Sequence, residues 1–333
     1  MQNHLQKSIE ILKNLQHPSG LFSAASSQKT GYHRAWIRDT VYEALALERH
    51  DLPAAFKAYH ALLDVLKKHE FKIDWAIKEK PSAAYQYIHA RYDPEALAEI
   101  REEWGNKQND AIGALLFRIG ELEKKGVKVL RDLNDYRLVQ KLIFYLGRVE
   151  YWQDQDNGMW EEYEEVHASS VGACVAGLKA VKDLLYVPEE YIVKGEETLA
   201  RLLPRESETK EVDLALLSLI YPYNIVSPEM REHLLKNVEE KLVREKGVIR
   251  YVGDQYYNDG AEAEWTFGFP WLAIIYKRLG NMEKHKYYLQ KTIEVMNEQG
   301  ELPELYLATS KVANENTPLG WSQGMFLLAL EEN

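Results

Sequence analysis

Cysteine is almost absent: Cys174 is the only one in 333 residues. That rules out an internal disulfide framework and a cysteine metal cluster. Cys174 sits in the apolar run SSVGACVAGL, where a small buried hydrophobe is expected rather than a nucleophile. Positive charge is also short, with 41 Lys and Arg against 52 Asp and Glu for a net charge of −11, and no Lys/Arg stripe offsets it locally. Such a surface repels phosphate backbones and anionic lipid, so neither nucleic acid nor a membrane is expected as a partner. No window is apolar enough to span a bilayer. The opening MQNHLQKSIEILKNLQ reads as an amphipathic helix rather than a secretion signal, so a cytoplasmic location is expected.

Linker composition is missing as well. No Pro/Gly/Ser-rich or single-charge tract interrupts the chain, so residues 1–333 are expected to form one domain, although the length would allow two cores. The ten histidines are scattered without ligand spacing, and there is no H-E-x-x-H and no Gly-rich phosphate cradle. Neither a metal nor a cofactor is expected. What is abundant is flat aromatic surface: 8 Trp and 21 Tyr supply faces that stack on sugar rings and edges that bond hydroxyls, though large cores use them too.

Helical periodicity dominates. Residues 53–68, 132–147, 188–203, 228–242 and 282–297 carry charge on one face and an apolar stripe on the other, the signature of outer helices. VGACVAGLKAV from Val171, VDLALLSLI from Val212 and PWLAIIY from Pro270 are apolar nearly all round, which suits helices enclosed by others. Ser227-Pro228, Pro53 and Pro188 are expected to open helices, Thr40 with Glu43 to form a capping box, and Gly280-Asn281 to end a helix. About a dozen helices follow, with one extended piece near Val248–Val252. Six inner and six outer helices would close into an all-α (α/α)6 barrel. The same alternation would also suit an open helical-repeat scaffold. Aromatic and acidic clusters precede the inner helices, however, in GYHRAWIRD, EWGNKQND, DNGMWEEYEEVH, RYVGDQYYN and LPELY. A closed barrel gathers them at one mouth.

Two carboxyl groups are what glycosidic cleavage needs, one to protonate the leaving oxygen and one to activate water. Most Asp and Glu fall on outer helices, where solvated faces are expected. Glu161 differs because it follows Gly158-Met159-Trp160 and precedes Glu162, an aromatic, acid-crowded turn expected to favour the protonated form. Glu304 stands alone in Leu302-Pro303-Glu304-Leu305-Tyr306, either as a helix cap or aimed into a cavity.

The segment Tyr32 to Asp39, with Trp36-Ile37-Arg38-Asp39, resembles the W-x-R-D block of glycoside hydrolase family 15, the glucoamylase and glucodextranase family. Four further blocks follow in family order across nearly the whole chain: Trp104-Gly105 with Gln108 and Asp110; Trp160-Glu161-Glu162; Gly247 to Tyr251 with Asp254; and Pro303-Glu304 ahead of Leu319-Gly320-Trp321. The resemblance implies an inverting hydrolase of α-glucosidic bonds at non-reducing ends of an α-glucan or oligosaccharide, with Glu161 as general acid and Glu304 as general base. It implies that Glu162 contacts the second sugar, and that Arg38 and Asp39 grip the terminal glucose, where an ordinary helix-terminal ion pair is the alternative. Tyr32, Trp36, Trp104, Arg250 and Trp321 match the walls of the first sugar pocket, and Asp110 matches an acid behind it or a helix cap. Asn106-Lys107, Leu305 and His167 depart from the pattern. EWTFGFPWLAIIYKRLGN also resembles the related domains of phosphorylase kinase regulatory subunits, so a glucan-sensing protein with little turnover is the alternative.

Overall fold

In a computed structural model that describes residues 2–102 and 105–331, the architecture is helical. Among the described residues twelve α-helices run α1 (Gln2–Leu15), α2 (Ile37–Leu47), α3 (Leu52–Lys68), α4 (Glu70–Lys78), α5 (Asn109–Lys124), α6 (Leu133–Val149), α7 (Ala168–Val181), α8 (Glu189–Leu202), α9 (Pro228–Lys241), α10 (Gly268–Arg278), α11 (Met282–Glu294) and α12 (Gly320–Leu330). The inner ring can be followed by contact: α2 packs on α5, α5 on α7, α7 on the 3₁₀ segment Leu214–Leu219, that segment on α10, α10 on α12, and α12 back on α2. It is closed, which distinguishes an (α/α)6 barrel from an open solenoid. Outside it, α3 lies against α2, α6 against α5, α8 against α7, α9 against 214–219, α11 against α10 and α1 against α12.

The sequence pattern explains which helices go where. Every residue of α2 is buried, as is nearly all of α7 and α12, whereas α9 buries only Leu234, Leu235 and Val238. The expected caps at Ser227 and at Pro53 are present, the second assisted by Asp51, which accepts from the Ala54 N–H. Pro188 stands one residue earlier, at the cap of α8. Gly280 (φ +75°) ends α10 and Asn281 caps α11. Two expectations fail. Thr40 and Glu43 form no capping box, because α2 already starts at Ile37, so both lie inside the helix and buried. The segment from Val212 winds as a 3₁₀ helix instead of an inner α-helix. It is confined between Asp213, whose side chain accepts from the Ala215 N–H, and Pro222, which has no N–H with which to continue.

Short strands tie the loops at one end of the ring. β1 (Ala35–Trp36) pairs antiparallel with β2 (Arg91–Asp93), and β2 with β3 (Ala98–Glu99). β4 (Glu264–Trp265) pairs with β5 (Leu305–Tyr306). At two or three residues they are too short for alternation to show in sequence. The expected extended piece is reduced to single bridges, Val248 to Val243 and Trp265, and Tyr251 to Asp213. Among the described residues no helix is long and apolar enough to cross a membrane.

The tightest seam of the ring is α5 on α7. A Cβ on Gly113 would lie 2.4 Å from the Ala173 carbonyl carbon, and one on Gly177 would lie 2.5 Å from the Gly113 carbonyl oxygen. Both obstacles are backbone, which cannot swing aside as a side chain can. Gly177→Val is therefore expected to lower unfolding free energy by ~1–3 kcal/mol or more, measured by urea denaturation. An unchanged midpoint would show that the seam has slack.

Candidate active site

At the strand-tied end of the ring lies a cavity of about 240 Å³ lined by Tyr32, Trp36, Arg38, Asp39, Trp160, Glu161, Glu162, Arg250, Tyr256, Trp265, Glu304 and Trp321, among others. Somewhat below the ~300–1000 Å³ typical of ligand pockets, it offers room for one sugar ring rather than a chain.

The floor is built from α2. Trp36 is extended in β1, and the helix that starts immediately after it carries Arg38 and Asp39 in its first turn. Arg38 is 3% exposed. It donates to Asp110 Oδ2 at 3.0 Å and to Gln108 Oε1 at 2.9 Å, lies 3.9 Å from Asp39, and has its guanidinium 5.5 Å from the centre of the Trp321 ring. Burial opposes its charge, but Asp110, Asp39 and Glu161 outweigh that and hold it a cation. Asp39 is pushed up to about 6, burial outweighing Arg38. Asp110 lies inside the first turn of α5, where Gln108 holds the cap position. It is the buried anion behind Arg38.

The first carboxyl group comes from the loop between α6 and α7, closed by two hydrogen bonds between the backbones of Asp156 and Glu165, at 2.9 and 3.0 Å. Glu161 adopts a left-handed backbone conformation there, φ +62°, which costs a non-glycine residue ~1–3 kcal/mol. Its Oε1 accepts from Trp36 Nε1 and, at 2.6 Å, from Gln108 Nε2. The neighbouring Glu162 is not the bare negative charge that the sequence suggests. It accepts from Arg250 Nη2 (2.6 Å), Tyr251 OH (2.5 Å) and Lys210 Nζ (3.2 Å). Burial pushes it up, but these partners pull it below the ordinary glutamate value.

The second carboxyl group precedes β5. Glu304 is fully buried and caps no helix. Tyr32 OH donates to its Oε1 at 2.6 Å, and Asn314 and Asn316 Nδ2 donate to Oε2 at 2.5 and 2.7 Å. Burial pushes Glu304 above the ordinary value, while the three donors and the Arg250 charge pull the other way. The result is a carboxylate more basic than one in water. Tyr32 also lies 5.4 Å from Trp36 between ring centres, so two aromatic residues run from one carboxyl group to the other.

Arg250 completes the wall. Asp254 accepts from its Nε and Nη2 at 2.6 and 2.5 Å, and its guanidinium lies 5.4 Å from the centre of Trp160, 5.0 Å from Tyr256 and 5.0 Å from Trp265. Burial opposes its charge too, but Asp254 and Glu162 secure it.

The structure thus brings Tyr32, Trp36, Arg38, Asp39, Glu161, Glu162, Arg250, Glu304 and Trp321 to one cavity, with Asp110 behind the floor. Trp104 lies outside the described residues. His33 and His167 do not line it: His33 lines a neighbouring depression with Arg34 and Asp93, and His167 is buried beneath the Glu161 loop. Cys174 is buried, its thiol directed to the Asn109 carbonyl. Gln108, Tyr256, Trp265, Asn314 and Asn316 received no role from sequence.

A glycosyl hydrolases family 15 model matches residues 1–263. The rabbit (Oryctolagus cuniculus) skeletal-muscle phosphorylase b kinase regulatory subunit alpha is 25% identical over 93% of this chain, and a probable counterpart from Caenorhabditis elegans 23% over 94%. The chain spans 31% and 32% of their lengths, about a third. Among solved structures, a wild-type glycosidase superposes with a TM-score of 0.82 at 21% identity, covering 98% of this chain and 95% of its own. Glucoamylase from Saccharomycopsis fibuligera gives 0.68 at 14%, covering 98% and 93%. A bacterial glucoamylase complexed with acarbose gives 0.70 at 16%, covering 97% and 54%. These likenesses are of fold, and the fold agrees with the family model: the chain belongs to glycosyl hydrolase family 15.

Proposed function

We propose that the protein is an inverting glycoside hydrolase that removes glucose from the non-reducing ends of α-glucosidic oligosaccharides or polysaccharides. The observation that carries this reading is the convergence of Glu161 and Glu304 on one sugar-sized cavity with a charged floor. The terminal glucose sits on Trp321 and Trp160, with Arg38 and Asp39 reading its hydroxyls through charge-assisted hydrogen bonds. Glu161 delivers its proton to the glycosidic oxygen as the bond to the anomeric carbon breaks. Glu304 takes a proton from the water that bonds to that carbon from the opposite face, and the two protons are then exchanged with solvent. Such a mechanism requires the carboxyl groups ~6.5–9.5 Å apart, with water between them. A cavity that ends on the barrel floor favours a chain end over a chain interior. The glucose found with a variant of the glycosidase of similar fold is in keeping with this substrate class.

A second reading, a glucan-sensing regulatory protein, is favoured by the regulatory subunits matched over 93% and 94% of the chain. Measurable oligosaccharide binding without glucose release from any α-linked disaccharide would decide for it.

The acid and base roles separate by leaving group. Glu161→Gln should cut cleavage of an ordinary disaccharide by about 10²–10⁴-fold and spare most of the rate on α-glucosyl fluoride, which needs no protonation. Glu304→Gln should fail on both, with partial recovery in azide. Proton NMR of the wild-type reaction should show β-glucose first, and α-glucose first would overturn the assignment.

Asp39 sets stability against activity. Its folded carboxyl group keeps its proton up to about 6, against ~3.9 in the unfolded chain. Between those values the folded state binds the more protons, so stability through this group falls as pH rises. Asp39→Asn should thus lose activity and yet gain ~2–3 kcal/mol of unfolding free energy relative to wild type on going from pH 4 to pH 7. Equal differences at both pH values would show that the charge costs nothing where it lies.

A further inference from the structure

The Glu161 loop stands on a buried anchor that the chemistry described so far does not use. Asp156, 1% exposed, accepts on Oδ1 from His167 Nδ1 at 2.9 Å and from the Gly158 N–H at 3.1 Å, and on Oδ2 from the Asn109 N–H at 3.0 Å. One carboxylate thus joins the start of the acid-bearing turn, the residue that enters α7 and the first residue of α5. The His167 ring lies so close to Gly158 that a Cβ there would be 2.9 Å from it. Burial opposes a charge on this imidazole, but the hydrogen bond and the charge of Asp156 more than offset it and raise its hold on a second proton.

A second seam runs alongside. Asn157 and Lys107 exchange hydrogen bonds, Asn157 N–H to the Lys107 carbonyl at 2.8 Å and Lys107 N–H to Asn157 Oδ1 at 3.0 Å. Asn157 Nδ2 donates to the Glu162 carbonyl at 2.7 Å, and Lys107 Nζ reaches Glu164 at 2.8 Å. Lys107 and His167 are two of the positions at which the sequence leaves the family pattern, and both end on this one loop.

We propose that His167 and Lys107 are positioning residues that clamp the 156–165 loop and so place Glu161 against the leaving oxygen. The proposal rests on the reading of Glu161 as the acid. A left-handed glutamate will not hold its place unaided, because relaxing its backbone moves the carboxyl group. The base side is independent, since Glu304 is held by Tyr32, Asn314 and Asn316.

Such a clamp predicts a selective defect. His167→Leu should lower kcat on an α-linked disaccharide by about 10- to 100-fold, the cost of a misplacement of ~1 Å, with KM little changed. Hydrolysis of α-glucosyl fluoride, which bypasses the acid, should stay within about threefold of wild type. His167→Gln, which keeps an N–H for Asp156, should recover most of the loss. Lys107→Met should show the same selectivity, and it carries the test if His167→Leu does not fold. An equal fall on both substrates, or no recovery by glutamine, would overturn the proposal. Hydrogen exchange reads the clamp without turnover: amides of residues 157–162 should lose protection in either variant while those of α12 keep theirs. Unchanged loop protection overturns the clamp, whereas a wild-type protein inert on every glucoside overturns the acid role of Glu161 and leaves the exchange result to judge the clamp alone.

Discussion

A cation taken out of water at the end of a helix barrel organises the rest of the site. Arg38 is almost wholly enclosed, and a buried guanidinium is tolerable only if its charge is compensated. Asp110 on α5 and Gln108 at its entry accept from its Nη1, the Asp39 carboxylate stands 3.9 Å from its Nε in the same turn of α2, and Trp321 from α12 offers its ring face. Those obligations fix three inner helices relative to one another. They also reach the first carboxyl group, because the Gln108 that accepts from Arg38 donates to Glu161. Removing the cation would strand two carboxylates in a low-dielectric floor, which makes Arg38 a structural requirement of the cavity.

The opposite wall repeats the arrangement with Arg250, held by Asp254 and Glu162 and facing Trp160, Tyr256 and Trp265. Each guanidinium lies against indole, so the cavity presents flat apolar faces with fixed donors at their edges. That combination suits a ring with hydroxyls around its rim and apolar C–H faces. It suits a phosphate less well, since both cations are already neutralised by carboxylates.

Much of this is legible in the sequence alone. The all-round apolar segments at 171–181 and 270–276 mark inner helices because only enclosure tolerates them, and the motif blocks mark where the chain enters each inner helix. Legibility ended where backbone geometry took over from pattern. Nothing local says that α2 starts at Ile37 rather than after Thr40, since the start is imposed by Trp36 pairing with Arg91 across 55 residues of sequence. Nor does the adjacency of Glu161 and Glu162 reveal that their side chains part, one to Trp36 and Gln108, the other to Arg250, Tyr251 and Lys210. Asn314 and Asn316 stayed hidden because their partner, Glu304, is met only through the fold.

The left-handed backbone at Glu161 has a consequence for anyone who would engineer this protein. At φ +62° glycine fits without the steric cost that glutamate bears, so the backbone there disfavours the carboxyl group that lines the cavity. Directed evolution for heat resistance alone, with no activity screen in the loop, would be rewarded for Glu161→Gly and would return a sturdier barrel with an empty hand.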